Sequence, residues 1–303
     1  MNISMNGYPI YFVEGKCIIF NFRGRFHTGF LCLMEVCLGG CTTTTNMQLA
    51  QAHMKVPIKI LVMQSPITID TDRLQTVFAP DNKPALSISE EPISQGVKHA
   101  QEHALEVMES ALTKQSRLVI VTPPAEEKQF INRIQGYNLE TTLSQGEADR
   151  IHASTGADAL LRFGITDYGL TPKSWRNGYI AFEVTSTLAI AAVIAYTGST
   201  ATKAVAGAYL AQEAVEESAE AYAGFWALDV VSRPVRIEAE LVRLSPLTTV
   251  WKSSDTGLSD VSLFRVIRKV KSDERNRQLD QATDHAVKDV VSSFSDALEN
   301  IKP

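Results

Sequence analysis

GADALLRFGITDYG, residues 156–169, decides how this chain folds. Ala159, Leu160 and Leu161 open a strand, Phe163 and Ile165 alternate with Gly164 and Thr166, and Tyr168-Gly169 supplies a turn. Gly156 closes a preceding helix, because glycine adopts the left-handed conformation of a C-cap at no steric cost. That helix starts at Ser144, whose side chain and Glu147 form the two halves of a capping box, and runs to about Thr155. Asp158 and Asp167 flank the strand as turn residues at its entrance and its exit.

Outward from this stretch the pattern stays mixed. VPIKILVMQ (56–64) alternates Ile58, Ile60 and Val62 against Lys59, Leu61 and Met63, as in a strand buried on one face and nearly buried on the other. Pro66, Pro80, Pro84 and Pro92 mark residues 66 to about 93 as a long loop. From Ser94 as N-cap, Val97, Ala100, Ala104, Met108 and Ala111 recur at helical spacing. Leu118 to Val121 is a short strand closed by Pro123-Pro124, and Phe130, Ile131 and Ile134 mark the next helix. In RPVRIEAELVRLSPLTTVWKSS, Val235, Ile237, Ala239 and Leu241 face the core while Arg236, Glu238 and Glu240 face water. Ser245 to Thr248 make the turn, and Val250 and Trp251 return as the next strand. Val287, Val290, Val291, Phe294, Leu298 and Ile301 line one side of a terminal helix. The order is βαβααβ, an insertion, then ββα. That predicts an α/β (α+β) domain with a mixed sheet over residues 56–303.

The insertion, about 176–228, has its own chemistry. Between Glu183 and Lys203 lie 19 uncharged residues, a bilayer-spanning length, but five threonines, two serines and a glycine dilute its large aliphatics. Beyond it, Glu213, Glu216, Glu217 and Glu220 form one acidic stripe opposite alanines. The segment predicts an α-helical hairpin turning near Gly198 and packing on the parent domain or on a neighbouring subunit. Trp175 and Trp226 flank it, as core anchors or as an interaction surface at its neck.

All four cysteines, Cys17, Cys32, Cys37 and Cys41, precede residue 42, so the body has no cysteine for a disulfide, a metal or a nucleophile. Leu38-Gly39-Gly40-Cys41 has the form of a lipobox. Arg23 and Arg25 supply a positive region and Phe26 to Leu38 an apolar one, interrupted at Glu35, so residues 1–41 are expected to be a lipoprotein signal peptide ending at a lipidated Cys41. Residues 42–55, opened by four threonines, form a flexible tether. A lipidated Cys41 implies export in a bacterium and stable attachment to a membrane. By resemblance to Gram-negative lipoproteins, Thr42 after the cysteine implies the outer membrane, with the domain on its periplasmic face.

The helix, GADALLRFGITDYG, the hairpin carrying AELVRLSPLTTVWKSS and the terminal amphipathic helix together resemble the curli-export type (CsgG-like) of periplasmic lipoprotein domain and its relatives of unknown function. The resemblance covers roughly 56–175 and 230–300 and implies an envelope accessory, structural or export role without one defining chemistry. Proteins of that type insert β-hairpins into the membrane and form ring-shaped pores. The insertion departs from them, since it lacks the two-residue alternation of a membrane strand.

Composition excludes other classes. The net charge is −5, and three of the 29 basic but only two of the 34 acidic residues lie before residue 41, so the remainder is more acidic still. An acidic chain argues against nucleic acid and against a basic lipid-surface patch. His99 and His103 have the four-residue spacing of metal ligands on a helix, with Glu102 and Glu106 near, but no third ligand presents itself and a solvent-facing pair is expected. His152 and His285 stand alone, and Asp158, Asp167 and Glu183 form no carboxylate set that chemistry would require. No nucleophile elbow, phosphate loop or dinucleotide fingerprint is present. The expectation is a non-enzymatic envelope protein without cofactor, metal or identified small-molecule substrate, whose partners are the membrane through its lipid and other envelope proteins or copies of itself. The alternatives are an oligomeric secretion-channel subunit, a regulator docking on a periplasmic enzyme, and, least, a metal hydrolase using His99 and His103.

Overall fold

A computed structural model describes residues 3–5, 8–13, 16–19, 57–78, 90–178, 224–226, 228–262, 265 and 270–299. The chain divides into two compact units, Met1–Cys41 and Thr42–Pro303. In the first, β1 (Ile3–Met5), β2 (Tyr8–Val13) and β3 (Lys16–Ile19) form an antiparallel meander in which Ile3 faces Ile10 and Ile10 faces Ile19. The apolar stretch from Phe26, the candidate lipid site Cys41 and the tether all lie outside the described residues.

The second unit is a mixed α/β domain. Its elements are β4 (Ile58–Gln64), α1 (Thr71–Phe78), α2 (Glu90–Thr113), β5 (Leu118–Ile120), α3 (Lys128–Gln135), α4 (Gln145–Thr155), β6 (Ala159–Tyr168), β7 (Val235–Leu244), β8 (Leu247–Gly257) and α5 (Ser272–Glu299). The strands form one five-stranded sheet in the order β5-β4-β6-β7-β8. β5 and β6 run parallel to β4, while β7 and β8 continue the sheet antiparallel. The parallel half requires helical crossovers, and α2 and the α3–α4 pair supply them.

The periodicities on each element explain the layering. Ile58, Ile60, Leu161, Phe163, Ile237 and Leu241 point to one face, where Ala100, Ala104 and Met108 of α2 and Ala282, Val287, Val290 and Phe294 of α5 cover them. Leu61, Met63, Leu160, Val242 and Leu244 point to the other face, under Phe130, Ile131 and Ile134 of α3 and Ala148 and Ile151 of α4. Each fully buried Val, Leu, Ile, Met or Phe among them contributes roughly 1.5–3 kcal/mol. α5 lies so close to β8 at Gly257 that a side chain there would strike the Ala282 carbonyl. Further along the same two elements Trp251 packs at a tilt against Phe294, with ring centroids 4.8 Å apart.

Several expectations change. Residues 66–93 are not one long loop, because Thr71–Phe78 is helical with Leu74 and Val77 buried. The prolines that signalled a loop bracket this helix without entering it. α2 begins at Glu90 rather than after Ser94, since Pro92 falls in the first turn, where a missing N–H is no loss. The β7–β8 turn is tighter than expected, with Leu244 paired to Leu247 around Ser245-Pro246. Glu240, expected on a wet face, is 4% exposed. Asp167 is not a turn residue at the strand exit; it lies inside β6 beside a bulge at Thr166. The capping box at Ser144 and Glu147 and the left-handed Gly156 (φ 66°) are as expected. The interior of the insertion, residues 179–223, and with it Glu183 and the expected helical hairpin, lies outside the described residues.

Candidate functional site

The site is the neck where the chain leaves the sheet after β6 and returns to it before β7. Tyr168 ends β6, and Gly169 follows at φ 70°, with its Cα so near Val77 that any side chain would collide. The Gly169 N–H donates to the Pro234 carbonyl at 2.7 Å, which closes the neck on the sheet side.

Beyond that bond the two strands of the neck are joined by charge. Asp229, 9% exposed, accepts from the Thr171 N–H at 2.5 Å and the Thr171 hydroxyl at 2.6 Å on Oδ1. Arg176 Nη2 donates to its Oδ2 at 2.6 Å, and Arg176 Nε donates to the Thr171 carbonyl at 3.2 Å. Arg73 of α1 buttresses the outgoing strand, donating to Asp167 Oδ1 and to the Thr171 carbonyl, both at 2.9 Å. Lys173 pairs with Asp70 at the start of α1.

The returning strand has its own support. The Val231 carbonyl, at the end of a short helical turn, accepts from Arg265 Nη1 at 2.8 Å and from Gln278 Nε2 at 2.9 Å. A guanidinium is well suited to that place, since the last carbonyls of a helical turn carry partial negative charge. Arg265, 6% exposed, is neutralised by Glu274 at 3.0 Å.

Burial raises both neck aspartates above the ordinary carboxylate value, against the opposing pull of their partners. For Asp229 those are the Thr171 donors and Arg176, and for Asp167 they are led by Arg73. The pair at Lys173 differs: its hydrogen bond and charge lower the carboxyl of Asp70, which is solvent-exposed.

Trp175 and Trp226 lie on this neck, as expected of residues flanking the insertion. Trp175 is half-buried, with its backbone N–H donating to the Pro172 carbonyl, while Trp226 is 49% exposed. Arg176 lies 5.5 Å from the Phe225 ring centroid. The neck therefore pairs a buried ionic base with an aromatic outer rim.

His99 is exposed and His103 half-buried, as a solvent-facing pair requires, and each is also bonded across to α5. His99 Nε2 is 3.0 Å from Asp280 Oδ1 and His103 Nε2 is 2.9 Å from Asp284 Oδ1, so two successive turns of α2 are bonded to two successive turns of α5. Their rings stack 6.1 Å apart, each nitrogen turned to its own carboxylate. Among the described residues no group of three or more His, Cys, Asp or Glu is placed to hold a metal ion. His152 and His285 each carry their Nδ1 proton to a backbone carbonyl, that of Ala157 and that of Leu258, at 2.6 Å.

A second buried ion pair sits on the sheet. Arg162 and Glu240, opposite each other on β6 and β7, are both nearly inaccessible, and Arg162 also donates to the Thr141 and Leu139 carbonyls. It thereby staples the α3–α4 loop to the sheet. Its sequence signal is an arginine alone inside an apolar strand, which folds only with a buried partner. Arg73 and Asp229 carried no comparable signal, because each acts across a long sequence gap.

No family model matches the chain, and no curated protein matches it. Two solved structures of the PelC dodecamer from Paraburkholderia phytofirmans, one a point variant, align with 84% of this chain and 96–97% of theirs. They are 10% identical to it, with TM-scores of 0.32 and 0.31, a likeness that carries no argument about assembly or role.

Proposed function

We propose that this chain is a lipid-anchored accessory or structural protein of a bacterial cell envelope, held at the periplasmic face of the outer membrane by Cys41. In this reading the α/β domain performs no catalysis and serves as a mount for the insertion, which meets another envelope protein or a second copy of the chain. Support for the anchor comes from Leu38-Gly39-Gly40-Cys41 and the threonine-rich tether, and from the resemblance to curli-export lipoprotein domains.

The observation that carries the mounting role is the Asp229 clamp. A fold that buries a carboxylate on the returning root of an insertion and binds it with donors from the outgoing root ties the two roots together where that insertion leaves the domain, a use of buried charge for specificity more than stability. Trp226, exposed on the rim, supplies the kind of aromatic anchor that interfaces favour. Among the described residues no helix is long and apolar enough to cross a membrane.

The test is a photo-cross-linking amino acid in place of Trp226, in full-length protein expressed in a Gram-negative host. The expected result is a discrete adduct with an envelope protein or with a second copy. Absence of any adduct at Trp226 above that at Val119, an exposed residue on the sheet's far edge, contradicts the proposal.

A further inference from the structure

The sheet has a second feature that the envelope role does not use. β4 sends its chain through α1 to α2 on one face and β5 sends its chain to α3 on the other, so a crevice opens at the carboxyl ends of these two parallel strands. Crevices of this origin are where open α/β sheets place their ligands. Here it is a cleft of about 440 Å³ between α2 and α3, within the range of roughly 300–1,000 Å³ typical of small-molecule sites.

Its lining is unusual in kind. Gln64 from the end of β4, Gln101 from α2, and Asn132 and Gln135 from α3 bring four carboxamides to one cleft. The charges present, Lys98 and Glu102, are an exposed pair 3.7 Å apart on α2 and balance each other. Gln64 is 6% exposed, and its Nε2 has no hydrogen-bond partner. A buried amide donor without an acceptor is costly, and native folds keep such groups where a bound molecule or an ordered water completes them.

We propose that this cleft binds a small neutral molecule bearing hydroxyl or acetamido groups, and that Gln64 donates to one of its oxygens. A carboxamide offers a donor and an acceptor side by side, so it matches a hydroxyl or another amide and gives no preference to ions. A set of four with no net charge selects neutral, multiply hydroxylated or amide-bearing ligands. The shared chemistry has two sources, a sugar or a peptide unit.

The experiment is a titration of the isotope-labelled full-length protein in detergent, following the Gln64 side-chain NH₂ resonances. N-acetylglucosamine, glucose and N-acetylglycinamide are the neutral probes, and succinate and spermidine the charged ones. Saturable movement of the Gln64 signals by at least one neutral probe is expected: glucose alone assigns a hydroxyl site, N-acetylglycinamide alone an amide site. Gln101→Ala and Gln135→Ala, both on helix surfaces, should each weaken that binding about three- to tenfold. Gln64→Leu, followed through the side-chain NH₂ signals of Gln101 and Asn132 in the same cleft, should abolish it while leaving the melting temperature equal or higher, because the orphan donor is gone. No saturable movement with any neutral probe, or equal movement with the charged ones, overturns the proposal. So does a fall in melting temperature for Gln64→Leu with binding retained, which would mark the amide as satisfied by structural water.

Discussion

Arg176 donates to Asp229 at 2.6 Å across 53 residues of chain, and the intervening segment is the insertion. The bond therefore joins the two roots of that segment to each other. Asp229 also accepts twice from Thr171, so one carboxylate organises the whole outgoing root.

Asp229→Asn keeps the shape and removes the charge. It is expected to cost about 1 kcal/mol at neutral pH, the worth of one charged hydrogen bond partly exposed on the Arg176 side. The pH dependence follows from the raised carboxyl. Burial lifts the folded-state value above the ordinary 3.8, so the native chain holds this proton more tightly than the unfolded one. That contribution to stability is full below 3.8 and is lost as pH rises through the folded-state value. Wild type therefore gains from this group on acidification and the variant does not, so the deficit should be smaller at neutral pH than at about pH 4. Urea unfolding of both proteins at the two pH values measures it, and a deficit that vanishes in acid would mean that Arg176, not burial, governs the group.

Arg162→Met leaves Glu240 buried opposite an apolar side chain. Lys252 at 2.9 Å remains as one partner, yet the lost guanidinium also frees the carbonyls of Thr141 and Leu139. A loss of about 3 kcal/mol is expected by denaturant titration. Adding Glu240→Leu should restore most of it, because a pair removed together leaves no uncompensated charge. A double variant no better than the single one would locate the loss in the α3–α4 loop instead.

Ser144→Ala removes one half of the capping box and is expected to cost about 1 kcal/mol. Glu147, lowered first by the Ser144 backbone N–H and further by the Ser144 hydroxyl and Tyr137, contributes stability above its ordinary 4.5 that is lost as pH falls below that value. In Glu147→Gln that acid-side loss should shrink. An unchanged slope of stability against pH below 4.5 would show that the carboxyl is not held by the cap.

Much of the domain was legible in local chemistry. Ser144 and Glu147 three residues on, Gly156 after an amphipathic turn, and the alternation in Ala159–Tyr168 each act within a few residues, and the structure realises all of them. The failures have one cause. Thr71–Phe78 is helical because Leu74 and Val77 find a core, which no proline count reveals. Glu240 turns inward because Arg162 waits on the neighbouring strand. The bonds that His99 and His103 make to Asp280 and Asp284 span 181 residues, beyond what local spacing reads. The neck was legible only in outline: Trp175 and Trp226 marked its place, while Asp229, Arg73 and Arg265 act through contacts that the sequence does not bring together.

The central claim is that Cys41 is the lipid-bearing residue of an envelope protein. Intact-mass spectrometry of the full-length chain expressed in a Gram-negative host, taken from the membrane fraction, tests it most directly. The account predicts a chain that begins at Cys41 and carries the added mass of a diacylglyceryl group with or without an N-acyl chain, and its loss to the soluble fraction in Cys41→Ala. An unmodified chain beginning at Met1 and recovered in the soluble fraction would contradict the anchor and the localisation together.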